Sequence, residues 1–226
     1  MPLDCIVKHN VFSDDQIHYL DTCIQNICTV WDYESDGKLY SKNHAWDFHS
    51  DEAKSVRDIL EPHLPKNIKV NHSKILESFY PYELHTDVYA GGDDSSSDVQ
   101  YTFIIPLDDY DSNTFVFNEY SYGGSNEFED FKKQYTGDLK LKISREDALR
   151  LTHLYPKDLL YLSLKEKFTW KKGNMLAFDR NCFHCSDNYL KTGHTSKRAI
   201  ILWTVKESYQ KSCLPSFAVL NKLSFR

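Results

Sequence analysis

From about residue 68 onward the chain is a succession of short runs rich in β-branched and aromatic residues, each bounded by turn formers, and few folds accommodate that pattern. The runs cover residues 75–80, 85–89, 100–107, 114–117, 175–178 and 198–205. Short strands at such spacing predict a barrel or a sandwich. An aromatic content of 14%, carried by 15 Tyr and 13 Phe, favours strands as well. The fold expected is an all-β core with helical additions.

The additions come first. Ser13 and Gln16 stand three residues apart, as in a capping box, and Ile17, Leu20, Ile24 and Ile27 follow at helical spacing, so residues 13–30 predict an amphipathic helix. A second helix is expected over 51–61, with Ser50 as its cap, Val56, Ile59 and Leu60 as its apolar stripe and Pro62 as its stop. Residues 31–49 read as loop. The segment 119–172 is too long for a plain connection and is expected to lie as an insertion over the barrel mouth. The whole chain, 1–226, reads as one domain: helical support over 1–66 and a β core over 67–210.

Charge and composition narrow the function classes. A net charge of −6 without a basic run disfavours nucleic acid, whose phosphates draw on clustered cations. No apolar run reaches the length of a membrane span, and the N-terminus lacks the pattern of a secretion signal, so a cytoplasmic protein is expected. The six cysteines then read as reduced thiols.

The chemistry-bearing residues form an ordered set. In a strand, side chains two apart share a face, so His85 and Asp87 can grip one ion together. His184 follows the apolar strand 175–178 and is the candidate third ligand. Two histidines and a carboxylate make the facial set that holds non-haem Fe(II) with positions open for oxygen. His49 and Asp51 repeat the spacing, but at the start of a helix, where Asp51 is better explained by the helix dipole. Arg198 opens the apolar strand 198–205, whose inward set is expected to be Arg198, Ile200 and Leu202. A buried arginine calls for an anion.

With these residues in place, the chain resembles the Fe(II)- and 2-oxoglutarate-dependent dioxygenases, and most closely their prolyl-hydroxylase-like branch. The matching segments are Phe79, Tyr80 and Pro81 ahead of His85 and Asp87, then 173–184, then 198–203. The resemblance implies a double-stranded β-helix, or jelly roll, with the metal at its open end. It implies His85, Asp87 and His184 as iron ligands and Arg198 as partner of the distal carboxylate of 2-oxoglutarate, with O₂ as co-reactant. Tyr80 matches a further cosubstrate contact of some members. Ile200 stands where many members have Ser or Thr, which leaves a second anchor to Tyr80 or Thr102. A complete triad implies hydroxylation or desaturation, and the reaction expected is hydroxylation of an unactivated C–H, with release of succinate and CO₂.

Two other readings compete. Cys182, His184 and Cys185 contain thiols at a C-x-x-C spacing that zinc can use, although a fourth ligand is missing. A catalytically silent jelly roll could serve as a binding module. For an enzyme, the substrate expected is a peptidyl side chain, prolyl included, or a small molecule, and the acidic loop 91–98 is a candidate contact for a cationic one.

Overall fold

The computed structural model describes residues 2–88, 98–121 and 128–208. After β1 (Ile6–Lys8) comes α1 (Asp14–Ile27), entered through the expected capping box: the Ser13 hydroxyl accepts from the Gln16 amide, and the Gln16 side chain accepts from the Ser13 amide. Ile17, Leu20 and Ile24 are its buried stripe. The second helix, α2 (Lys54–Leu60), starts later than expected, because the Ser50 hydroxyl accepts from the Ala53 amide in the preceding turn. Pro62 falls within a single 3₁₀ turn, Glu61–His63, that ends the segment.

Residues 31–49 are not loop. They belong largely to a hairpin of β2 (Thr29–Ser35) and β3 (Lys38–Trp46), turning at Asp36 and Gly37, whose φ values of 50° and 71° suit this residue pair. The strand series follows as β4 (Ile68–Ser78), β5 (Val99–Pro106), β6 (Asn113–Tyr120), β7 (Leu164–Thr169), β8 (Met175–Asp179), β9 (Cys182–Ser186) and β10 (Lys197–Lys206). All pairings are antiparallel. They build a seven-stranded sheet, β1-β8-β5-β10-β4-β3-β2, and a three-stranded one, β7-β6-β9. Gly173, at φ 77°, turns the chain into β8; a Cβ there would stand 2.3 Å from the Phe12 carbonyl oxygen, so only glycine fits.

Three apolar layers follow from strand alternation. Between the sheets lie Ile104, Leu176, Phe178, Ala199, Ile201 and Trp203 against Val116, Phe168 and Cys182. Behind the large sheet, Ile75, Phe103, Ile105, Ile200 and Leu202 pack under the helices. Behind the small sheet, Phe115, Phe117, Phe183 and Cys185 are covered by Phe128 of α3 (Phe128–Gln134), Leu151, Leu154 and Leu159. The described part of the segment 119–172 therefore backs the small sheet and does not roof the mouth. It contributes β7 to the small sheet, and α3, α4 (Arg145–Arg150) and their neighbours back that sheet, because its apolar residues need the exposed face of β6 and β9. Among the described residues no helix is long and apolar enough to cross a membrane.

Candidate metal centre

His85 belongs to no strand, only to an isolated antiparallel bridge with His184 of β9. Each residue's amide donates to the other's carbonyl, at 3.1 and 2.9 Å, so the two imidazoles leave the backbone side by side, with ring centroids 4.2 Å apart. Two residues on, the Asp87 amide donates to the Arg180 carbonyl, and the Asp87 carboxylate returns to the same side. His85 Nε2 lies 3.8 Å from Asp87 Oδ1, and His184 Nε2 lies 3.5 Å from Asp87 Oδ2. Donors bound about 2.1 Å from one ion stand roughly 3 to 3.5 Å apart, so this spacing is close to that of a filled site. All three donor atoms fall within 4.8 Å of one another, and this is the one such group among the described residues.

The tautomers suit a cation. His85 Nδ1 donates to the Glu83 carbonyl at 2.7 Å and His184 Nδ1 to the Cys182 carbonyl at 3.2 Å, which leaves both Nε2 lone pairs directed at Asp87. Burial, together with the neighbouring His85, pushes the His184 pKa down to about 4, against the pull of Asp87, so the ring is neutral at pH 7. Burial alone would raise the Asp87 pKa. His184, His85, the Thr102 hydrogen bond and Arg180 outweigh it and hold the carboxyl below its usual range. His85 is 30% exposed, whereas His184 and Asp87 are 7% and 9% exposed, so the site opens on the His85 side.

The other expected residues fare differently. Thr102 is at the site, but its hydroxyl donates to Asp87 Oδ2 at 2.5 Å, which orients a ligand rather than holding a cosubstrate. Tyr80 is a surface ring beside Tyr40, centroids 5.0 Å apart; the ring facing His85, at 5.6 Å, is Tyr82. Arg198 is a correction. Its Nη2 pairs at 2.7 Å with Asp21 of α1, behind the large sheet, because the inward set of β10 is Lys197, Ala199, Ile201 and Trp203. Ile200 and Leu202 face the helices with it.

The zinc reading also fails. Cys182 points between the sheets and Cys185 away from them, since residues three apart in a strand lie on opposite faces. Burial raises both thiol pKa values, that of Cys182 to about 12. The rejected pair behaves as expected, with His49 Nε2 donating to the Val70 carbonyl at 2.8 Å. Apart from Asp98, the acidic loop 91–98 lies outside the described residues, as does Tyr89.

Sequence reasoning missed a buried cation. Lys74 of β4 sits opposite Ile201, on the inner face, and is 8% exposed. Its ammonium donates to Asn43 Oδ1 at 3.0 Å and lies 4.9 Å from the Trp203 ring and 5.9 Å from the Trp31 ring. Burial pushes its pKa down to about 8, partly offset by the Asp87 carboxylate. The available signal was a lysine directly ahead of Ile75 and Leu76 in a strand flanking β10.

The two facing antiparallel sheets carry a two-histidine, one-carboxylate cluster that is open on one side. The comparison with solved structures bears out the mostly-β, antiparallel architecture. The chain is similar to SnoK, a non-haem α-ketoglutarate-dependent carbocyclase from nogalamycin biosynthesis, at 13% identity and TM-score 0.58, covering 97% of this chain and 86% of that one. It is similar to the epimerase SnoN in complex with Fe³⁺, α-ketoglutarate and nogalamycin RO, at 12% identity and TM-score 0.57, covering 94% and 86%. EctD from S. alaskensis with bound Fe gives 14% identity, TM-score 0.53 and coverage of 94% and 78%. No family model and no curated protein sequence matches the chain.

Proposed function

We propose that this protein is an Fe(II)- and 2-oxoglutarate-dependent oxygenase, built on a double-stranded β-helix, that hydroxylates an unactivated C–H bond of a cytosolic substrate. The observation that carries the reading is the convergence of His85 Nε2, His184 Nε2 and Asp87 on one point, with both Nδ1 atoms tied to carbonyls. A mixed imidazole and carboxylate set with an open side suits Fe(II) in oxygen chemistry better than a closed structural ion. When bound, iron and 2-oxoglutarate supply the oxidation of substrate C–H at the expense of O₂, with succinate and CO₂ as by-products.

The chain's own residues do the rest. His85, His184 and Asp87 hold the ion, and Thr102 fixes the carboxylate's orientation. Phe178, whose ring centroid is 4.5 Å from that of His184, and Trp203 exclude water from the inner side. The Tyr82 ring lies 5.6 Å from that of His85, and its hydroxyl donates to Ser41 Oγ at 3.4 Å, so it walls the site toward β3. The substrate is a small molecule or a peptidyl side chain, prolyl included; SnoN, solved with nogalamycin RO, supports the small-molecule form.

The test is succinate release in the presence of Fe(II), O₂ and 2-oxoglutarate, measured against panels of peptides, amino acids and other small metabolites. Turnover is expected to require all three, and Asp87→Ala is expected to lower it by about a thousandfold or more through loss of the metal. A silent binding module would show no succinate release with any panel, and an Asp87→Ala protein with full activity would overturn the assignment.

A further inference from the structure

Lys74 presents a problem that the metal site alone does not solve. A fully buried ammonium is costly unless it is paired, and no carboxylate lies within ion-pair distance of Lys74 among the described residues. Asn43 takes one of its three N–H donors. The Trp203 and Trp31 rings offer π faces, which attract a cation without accepting a directed hydrogen bond from each remaining donor. The ammonium is thus held in an aromatic box with donors to spare.

Its place in the sheet connects it to the metal. Trp203 pairs with Thr102 across β10 and β5, and Thr102 is bonded to Asp87. Lys74 pairs with Ile201, one inward position further along β10, so from Thr102 it stands about 7 Å along the strands and, with β10 between, about 10 Å across them at the backbone. The long Lys74 side chain spans part of that gap on the inner face, and the remainder suits a short dicarboxylate whose 2-oxo acid end would lie on the ion.

From this geometry we infer that Lys74, rather than any residue of β10, binds the distal carboxylate of the cosubstrate, and so selects a dicarboxylic 2-oxo acid over a monocarboxylic one. The inference rests on the oxygenase reading above. Three other cations are available nearby, and each is committed elsewhere. Arg198 is behind the sheet with Asp21. Arg180 donates to the Asp87 and Thr204 carbonyls. Lys197 faces inward, but it lies six residues from Trp203, about 20 Å along the strand, where its ammonium donates to Ser112 Oγ at 3.1 Å and caps the Trp170 ring at 3.9 Å.

The experiment measures binding of 2-oxoglutarate and of 2-oxobutyrate, which lacks the distal carboxylate, to the Mn(II)-loaded protein by calorimetry. The wild type is expected to prefer 2-oxoglutarate by roughly 10- to 150-fold, the worth of a charge-assisted contact. Lys74→Met abolishes that preference while Mn(II) affinity and 2-oxobutyrate binding stay within about twofold. Lys197→Met keeps the preference. Should Lys74→Met not fold, Asn43→Asp gives the ammonium an internal carboxylate and is expected to cut the preference by about tenfold. A Lys74→Met protein that retains the preference, a folded Asn43→Asp protein that retains it, or a Lys197→Met protein that loses it, overturns the inference. A wild type that binds Mn(II) and neither oxo acid overturns the oxygenase reading, and the anchor with it.

Discussion

The two faces of the large sheet differ in what they bury. The outer face, under α1 and α2, is largely apolar, with Ile75, Phe103, Ile105, Ile200 and Leu202, and Arg198 on it has its carboxylate in Asp21. The inner face carries Lys74, Thr102, Asn43 and Ser41, all buried, among Ile104, Ile201 and Trp203. Apolar surface removed from water stabilises at about 25 cal/mol per Å², whereas buried polar groups at best break even. The outer face therefore accounts for stability, and the inner face keeps polar groups that stability alone does not require.

That contrast can be broken by separating the two readouts. The largest effect is expected from Leu202→Ala on the outer face: a loss of about 2 to 5 kcal/mol in denaturant unfolding, from lost burial and the cavity left behind, with metal affinity in the folded protein unchanged. A matching fall in metal affinity would show that the faces are not independent. Next is Thr102→Val on the inner face, expected to weaken Mn(II) or Fe(II) binding by about 10- to 100-fold, because Asp87 loses its orienting donor. Unfolding free energy should move far less than for Leu202→Ala; the reverse order would make Thr102 a structural residue. The smallest effect is expected from Arg198→Met, where a partly exposed ion pair is worth about 1 kcal/mol or less. Its 2-oxoglutarate affinity should equal that of the wild type, and a tenfold loss would return the anchor to β10.

Features set by local chemistry were legible in the sequence. The capping box at Ser13 and Gln16, the stripe of α1 and five of the six β segments, in position though not in every bound, follow from neighbours in the chain; the sixth, 85–89, has only the His85 bridge and ends outside the described residues. The His85 and Asp87 part of the candidate metal cluster was legible for the same reason, since the two need only share a side. The phase of β10 was not. From Ala199 to Trp203 every residue is apolar because both faces are buried, so no alternation tells inside from outside. Register with β4 and β5 decides it, and a shift of one residue exchanges Arg198 for Lys197. Beyond Pro81 it is Tyr82, and not Tyr80, whose ring faces His85. The β2–β3 hairpin did leave a local sign, Asp36 followed by Gly37, but its polar, alternating strands lack the apolar weight that marks the others.

The segment from His85 to Asp87 has no strand to hold it, yet it is fastened at three places: the paired bonds with His184, the Asp87 amide on the Arg180 carbonyl, and the Arg180 guanidinium on the Asp87 carbonyl. None of these fastenings uses a metal-binding atom. An arriving ion thus meets ligands already ordered, unlike a zinc finger, where capture and folding are one event. Loading and removal then leave the surrounding fold in place, and chelation should strip the ion while amide hydrogen exchange across β4, β5 and β10 stays slow.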